Sequence, residues 1–256
     1  MSNGASNGSA PLGFGRWTGA VLDLPRELVE ASDAFWTQAL GWTVGQTWRD
    51  YPEFHHLDPP EGHSCVLVQA IDGPPRLHLD LYASDVDPVA DWIVRQGATL
   101  GDRHGHWQVM VSPTGFPFCV VKSDGERERP RARTWPDGHR SRLVQVCLDI
   151  PHGRIDEEKA FWCTITGWPL EPSSQEEFAG HLKPGEGGSL QLLLQELGPD
   201  DPATTTRAHL DLGADDREAE VARLEALGAQ RVSDGSGWVV MRDPVGQVFC
   251  VTGQAP

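Results

Sequence analysis

The sequence predicts an α+β protein of two tandem domains, each made of two βαβββ units that close into a curved, mixed or antiparallel sheet shaped like a cup. Three observations predict it. Leu22-Asp23-Leu24-Pro25 returns as Leu148-Asp149-Ile150-Pro151, and Phe35-Trp36 with Gly41-Trp42 returns as Phe161-Trp162 with Gly167-Trp168, all at an offset of 126 residues. His78-Leu79-Asp80-Leu81 returns as His209-Leu210-Asp211-Leu212, and Trp107 and Phe118-Cys119-Val120 return as Trp238 and Phe249-Cys250-Val251, at an offset of 131. A repeat of this length is a duplicated domain, and the change of offset places five inserted residues between the two blocks. Third, each half of a copy shows the same order of patterns: one strand, one helix, then short strands.

In the first copy, Trp17 to Leu24 reads as a strand that Pro25 stops. Arg26 to Leu40 reads as a helix, because Leu28, Val29, Phe35, Trp36 and Leu40 recur at helical spacing and Gly41 is a natural C-terminal stop. Strands follow at Thr43 to Trp48, Glu53 to Leu57 and Cys65 to Ala70. After Pro74-Pro75 the order restarts: strand His78 to Tyr82, helix Val86 to Gln96, then strands Ala98 to Asp102, Trp107 to Val111 and Phe116 to Lys122. The second copy predicts strands Leu143 to Ile150, Trp168 to Leu170 and Gly188 to Gln195 around the helix Asp156 to Ile165. Its second half predicts strands Ala208 to Leu212, Gln230 to Val232, Gly237 to Arg242 and Val248 to Thr252 around the helix Arg217 to Leu227.

Residues 15–123 and 141–253 are the expected domains, each long enough for its own core. Residues 1–14 are Ser/Gly/Asn/Ala-rich over most of their length and read as a disordered tail. Residues 124–140 carry Arg127, Arg129, Arg131, Arg133 and Arg140 with Pro130 and Pro136, and read as a solvated linker. The net charge of −16 argues against nucleic acid and anionic membrane as partners. No apolar run reaches the roughly 18 residues of a membrane span, and no signal peptide is evident. Five cysteines without a close-spaced pair fit a reducing, cytoplasmic setting and exclude a CxxC-type zinc site.

The stretch Phe35 to Trp42 with its twin Phe161 to Trp168, the His-Leu-Asp-Leu segments followed by a helix and Gly-Ala, and Asp243-Pro244-Val245-Gly246-Gln247-Val248-Phe249-Cys250 together resemble the glyoxalase/bleomycin-resistance/dioxygenase family, the vicinal oxygen chelate superfamily. The similarity runs through nearly all of both copies and is nearest to the glyoxalase-like domain group. It implies a bacterial-type small-molecule protein whose members include metal-dependent lyases, isomerases and dioxygenases, and also antibiotic-binding proteins that perform no reaction. The family's metal enzymes place His, Gln or Glu at four strand positions, where a divalent ion polarises substrate oxygens.

Carried onto this chain, the resemblance implies His209, Gln145, Gln195 and Cys250 as the metal-ligating set of the second copy, for Zn, Fe, Mn or Ni, with no metal at all as the alternative. In the first copy the matching positions hold Gly19, Gln69, His78 and Cys119. Cys250 and Cys119 depart from the Glu usual at the last position, and a thiol there is either a soft-metal ligand or a small core residue. Asp211 and Asp80 lie two residues after the histidines and so share their strand face. Each is a candidate base, or orients the imidazole. His78, Gln69, Trp107 and Trp238 are candidate substrate contacts, the tryptophans either stacking on a flat ligand or packing in the core. Asp23 and Asp149, just before proline, read as turn formers or helix caps. Duplication can supply within one chain the partner that single-domain relatives find by dimerising, so the expected state is a monomeric pseudo-dimer or a homodimer.

Overall fold

A computed structural model describes residues 14–123 and 125–256; all but one residue of the expected N-terminal tail lie outside them. The first copy contains β1 (Phe14–Pro25), α1 (Arg26–Leu40), β2 (Thr43–Val44), β3 (Phe54–Asp58), β4 (Val66–Ile71), β5 (Arg76–Ala83), α2 (Val86–Arg95), β6 (Thr99–Arg103), β7 (Trp107–Val111) and β8 (Pro117–Lys122). A short β9 (Arg133–Thr134) precedes the second copy, which contains β10 (Arg140–Ile150), α3 (Ile155–Thr166), β11 (Leu170–Glu171), β12 (Phe178–Leu182) and β13 (Gln191–Glu196). It ends with β14 (Arg207–Ala214), α4 (Arg217–Ala226), β15 (Gln230–Asp234), β16 (Trp238–Arg242) and β17 (Val248–Thr252).

Each copy folds into one sheet. The strand orders are β2-β3-β4-β1-β5-β8-β7-β6 and β11-β12-β13-β10-β14-β17-β16-β15, so the two halves of a copy join at the antiparallel pairs β1–β5 and β10–β14. The register places Gly19 opposite Asp80 and Gln145 opposite Asp211, which fixes the alignment of the two copies at their centres. This is the expected α+β architecture of two tandem curved sheets. Among the described residues, no helix is long and apolar enough to cross a membrane, and all five cysteines are free thiols.

Two strands escape the sequence pattern. β12 turns on Gly180, whose φ of +133° and register shift against β13 break the alternation that marks a strand. The short β9 lies in the segment read as a linker, and that segment is docked. The His63 and Glu128 backbones and the His63 ring are hydrogen-bonded, and Arg127 stacks over the rings of Tyr82 and Trp17.

The helices close as their sequence suggests. Gly41 and Gly167 end α1 and α3 in the left-handed conformation, at φ +69° and +63°. Their aromatic pairs, however, do more than fill the space between a helix and its own sheet. Trp36 packs edge-on against Phe249 of the second copy at 5.3 Å, and Trp162 packs edge-on against Phe118 of the first at 5.3 Å. The contacts are reciprocal, and one continuous apolar core runs through both copies. Phe-Trp is therefore the seam of an internal pseudo-dimer, and each aromatic pair adds about 0.5–1.5 kcal/mol beyond the area it buries.

Candidate functional site

Strands β1 and β10 run through the middle of their sheets with alternate side chains turned into the cup. On β10 the inward set is Gln145, Cys147 and Asp149. On β1 the same positions are Gly19, Val21 and Asp23. The neighbouring strands β14 and β5 supply His209 and Asp211, or His78 and Asp80, and β17 and β8 supply Cys250 or Cys119.

In the second cup, the Nδ1 of His209 lies 3.1 Å from Asp149 Oδ2, and its Nε2 faces Asp211 Oδ1 at 3.3 Å and Cys250 Sγ at 3.4 Å. In the first cup, His78 Nδ1 lies 3.0 Å from Asp23 Oδ2 and its Nε2 lies 3.5 Å from Asp80 Oδ1, with Cys119 alongside. Both histidines are thus fixed from behind by one carboxylate and present Nε2 to another carboxylate and a thiol. Asp23 and Asp149 are not helix caps: neither α1 nor α3 has a side-chain cap, and Asp23 is fully buried, accepting from both His78 and the Arg76 guanidinium at 2.7 Å. Proline next to the aspartate suggested a turn. Counting alternate residues along β10 from Gln145 would have put Asp149 in the cup, and Cys147 with it.

Electrostatics follow from burial and pairing. Burial opposes a charge on either imidazole, but the carboxylate behind each one overcomes it. His78, beside Asp23, and His209, beside Asp149, are both held well above the usual histidine range. Burial pushes the thiols of Cys119 and Cys250 up, and Cys147 well up, so all three are neutral at pH 7 without a further cation.

Gln145 sits beneath Asp211 and donates a short hydrogen bond to its Oδ2. Its own Oε1 accepts from Gln191 at 2.7 Å and from Gln254 at 2.8 Å. The carbonyl that the resemblance would direct at a metal is therefore occupied, and the amide braces Asp211 instead. Gln195 accepts from Cys147 at 3.4 Å. Asp211 Oδ1 is buried without a hydrogen-bond partner among the described residues. In the first cup Gly19 supplies no amide, and the Tyr82 ring lies against that position.

Each cup opens onto a cavity. The first, about 200 Å³, is bounded by His78, Asp80, Gln69 and Trp107. The second, about 490 Å³, is bounded by His209, Asp211, Gln195, Cys250 and Trp238. Trp107 and Trp238 are half-buried at the two mouths, packed edge-on against Tyr51 and Phe178. Sequence reasoning missed Trp48, Tyr51 and Phe54 in the first cup, since their convergence depends on how the β2–β3 connection folds over β7.

The comparisons agree with this architecture. The glyoxalase-like domain model matches residues 20–121 and again 145–252. Among solved structures, the chain is similar to a Mn(II)-bound glyoxalase from Novosphingobium aromaticivorans, with TM-score 0.60 and 16% identity over 93% of this chain and 81% of that one. It is also similar to a variant of homoprotocatechuate 2,3-dioxygenase from Brevibacterium fuscum, with TM-score 0.64 and 14% identity over 97% and 74% of the two chains. The homoprotocatechuate 2,3-dioxygenase from Arthrobacter globiformis gives TM-score 0.59 and 15% identity over 99% and 84%. No curated protein matches. The chain belongs to the glyoxalase-like domain family, within the vicinal oxygen chelate superfamily, and carries that domain twice.

Proposed function

We propose that the chain binds small organic molecules in its two cups and that the second cup is a metal-assisted centre of the lyase, isomerase or dioxygenase kind. The observation that carries this reading is the set His209 Nε2, Asp211 Oδ1 and Cys250 Sγ, backed by Asp149 on the far nitrogen of the ring. A tetrahedral Zn-type ion with ordinary bond lengths needs N···O and N···S edges of about 3.3 and 3.6 Å. The observed 3.3 and 3.4 Å fit those edges. Asp211 Oδ1 fits as well: it is buried, and its 3.3 Å approach to His209 Nε2 does not complete a hydrogen bond, so it retains acceptor capacity for an ion. The mix of imidazole, carboxylate and thiol suits a borderline-soft divalent ion.

Within that centre the chain's own residues have separate tasks. Asp149 fixes the tautomer and aim of His209. Gln145 holds Asp211 in place through its Oδ2, and Gln191 and Gln254 fix Gln145 in turn, so that Oδ1 stays turned toward His209 and Cys250. Trp238 and Phe178 shape the mouth. A divalent ion, when bound, supplies Lewis acidity toward a pair of ligand oxygens. The first cup has the weaker set, because nothing stands at Gly19 to brace Asp80.

A second reading is a protein that sequesters its ligand unchanged. It is favoured by the neutral thiols of Cys119 and Cys250 at the position where the family's metal enzymes carry Glu. Metal analysis separates the two. Protein purified without chelator, or offered Zn, Mn, Fe or Ni, is expected to hold one equivalent, and His209→Ala to lose it. If none of the four ions binds stoichiometrically to the unaltered chain, the metal-assisted reading is wrong and sequestration stands.

A further inference from the structure

The two cups share a framework but not a lining. At the mouth of the first, Trp48 stacks on Phe54 at 5.2 Å and 21°, Tyr51 meets Trp107 edge-on at 4.7 Å, and His104 stacks on Trp107 at 4.6 Å and 15°. Phe54 also meets Trp107 edge-on at 5.9 Å, joining both groups into one ring-lined box. In the second cup, Phe178 and Trp238 keep the positions of Phe54 and Trp107. Pro172 and Gln175 line the mouth instead of Trp48 and Tyr51, and Gly235 takes the place of His104.

Rings this densely grouped around a cavity form an apolar slot with π-faces and ring edges on its walls. Below them lie His78 and Asp80, a donor and an acceptor within reach of one polar substituent. The cavity volume of about 200 Å³ is that of a one- or two-ring molecule: a dry cavity of about 150 Å³ accommodates benzene. From this we infer that the first cup is a metal-independent site for a planar aromatic alcohol. The ring lies among Tyr51, Phe54 and Trp107, and the hydroxyl points at His78 and Asp80. This rests on the reading that the cups take small molecules, but not on a metal in the second cup.

Aliphatic rings of the same size fill the volume without matching the π-faces, so discrimination between flat and saturated rings is the signature. The full-length chain is titrated calorimetrically with naphthol and with its saturated analogue decahydronaphthol, with and without EDTA. Naphthol is expected to bind once per chain and roughly tenfold tighter than decahydronaphthol, from two or more ring contacts each contributing a factor of roughly two to ten. Tyr51→Leu, in a half-buried loop position, and Trp107→Leu are each expected to weaken naphthol several-fold. Trp238→Leu, the twin in the second cup, should leave naphthol affinity unchanged. Equal binding of the two alcohols, no binding of naphthol, or loss caused by Trp238→Leu rather than Tyr51→Leu would overturn the inference. Naphthol binding abolished by EDTA would also overturn it and move the ligand to the metal cup. Naphthol retained in a chain that takes up no metal would support it and sink only the metal reading.

Discussion

At the centre of the second sheet, Gln145, Gln191 and Gln254 form a hydrogen-bonded amide cluster under Asp211. The same three positions in the first sheet are Gly19, Cys65 and Ser123, and the space is taken by the ring of Tyr82, whose own twin is Gly213. One duplicated frame has thus been filled once with amides and once with an aromatic ring. What stayed constant in both copies is the Asp–His–Asp line, with a cysteine beside it. The contrast separates what the fold needs from what each ligand needs. Backbone register and the Phe-Trp seam do not tolerate drift, whereas inward positions that touch only the cup's contents do.

Three experiments press on that contrast. The largest effect belongs to the seam. Phe249→Ala and Phe118→Ala each empty a fully buried ring from equivalent sites, and each is expected to lower unfolding stability by about 3–5 kcal/mol in a denaturant titration. Losses differing by more than about 2 kcal/mol would show that the two halves of the seam are not equivalent. Next is the amide cluster. Gln145→Ala removes the brace from Asp211 and should weaken metal binding by roughly 10–100-fold, since outer-shell partners act on this scale. Unchanged affinity measured by calorimetry would return the cluster to a purely structural role.

The smallest effect concerns a device in the second copy. His139 lies between Glu220, at 2.7 Å, and Asp137, at 2.6 Å, and the position equivalent to Glu220 in the first copy is Val89. Burial opposes charge on His139, but the two carboxylates outweigh it and its pKa is raised above 6.5. The sign follows: the pairing stabilises the fold fully below pH ~6.5 and fades as pH rises through the raised folded value. The stability difference between the unaltered chain and His139→Gln should therefore shrink between pH 6 and pH 9. A difference that grows with pH would contradict the ion pairing.

Much of this was legible in the sequence, and the reasons are particular. The repeat revealed two domains, because Gly41, Gly167 and the Phe-Trp pairs serve backbone and core, where substitution is costly. His78 with Asp80, and His209 with Asp211, were legible because residues two apart on a strand face the same way. Asp23 and Asp149 were obscured by the proline that follows each, which suggests a turn whether or not the side chain serves it. Cys147 was hidden because its twin is Val21, so the repeat does not mark it. The ring box was illegible because Trp48, Tyr51, Phe54 and Trp107 come from separate segments that no local period connects. The Phe-Trp motif was recognised but its partner was not, since helix periodicity reports a buried face and not which sheet buries it.

One detail of the seam has a consequence for assembly. Trp36 donates its indole N–H to Asp243 in the other copy, at 3.1 Å, while Trp162 donates to Glu158 on its own helix, at 2.7 Å. The residue equivalent to Glu158 in the first copy is Ser32, and the one equivalent to Asp243 is Ser112. Each half of the seam therefore contains one acid for one indole, supplied from opposite sides. Two first copies facing each other would leave both indoles without a carboxylate. Two second copies would crowd Glu158 and Asp243 around a single N–H in a buried setting, where unshared negative charge is costly. The duplicated halves have become complementary to one another and mismatched with themselves, so this seam favours pairing a first copy with a second copy over pairing like with like.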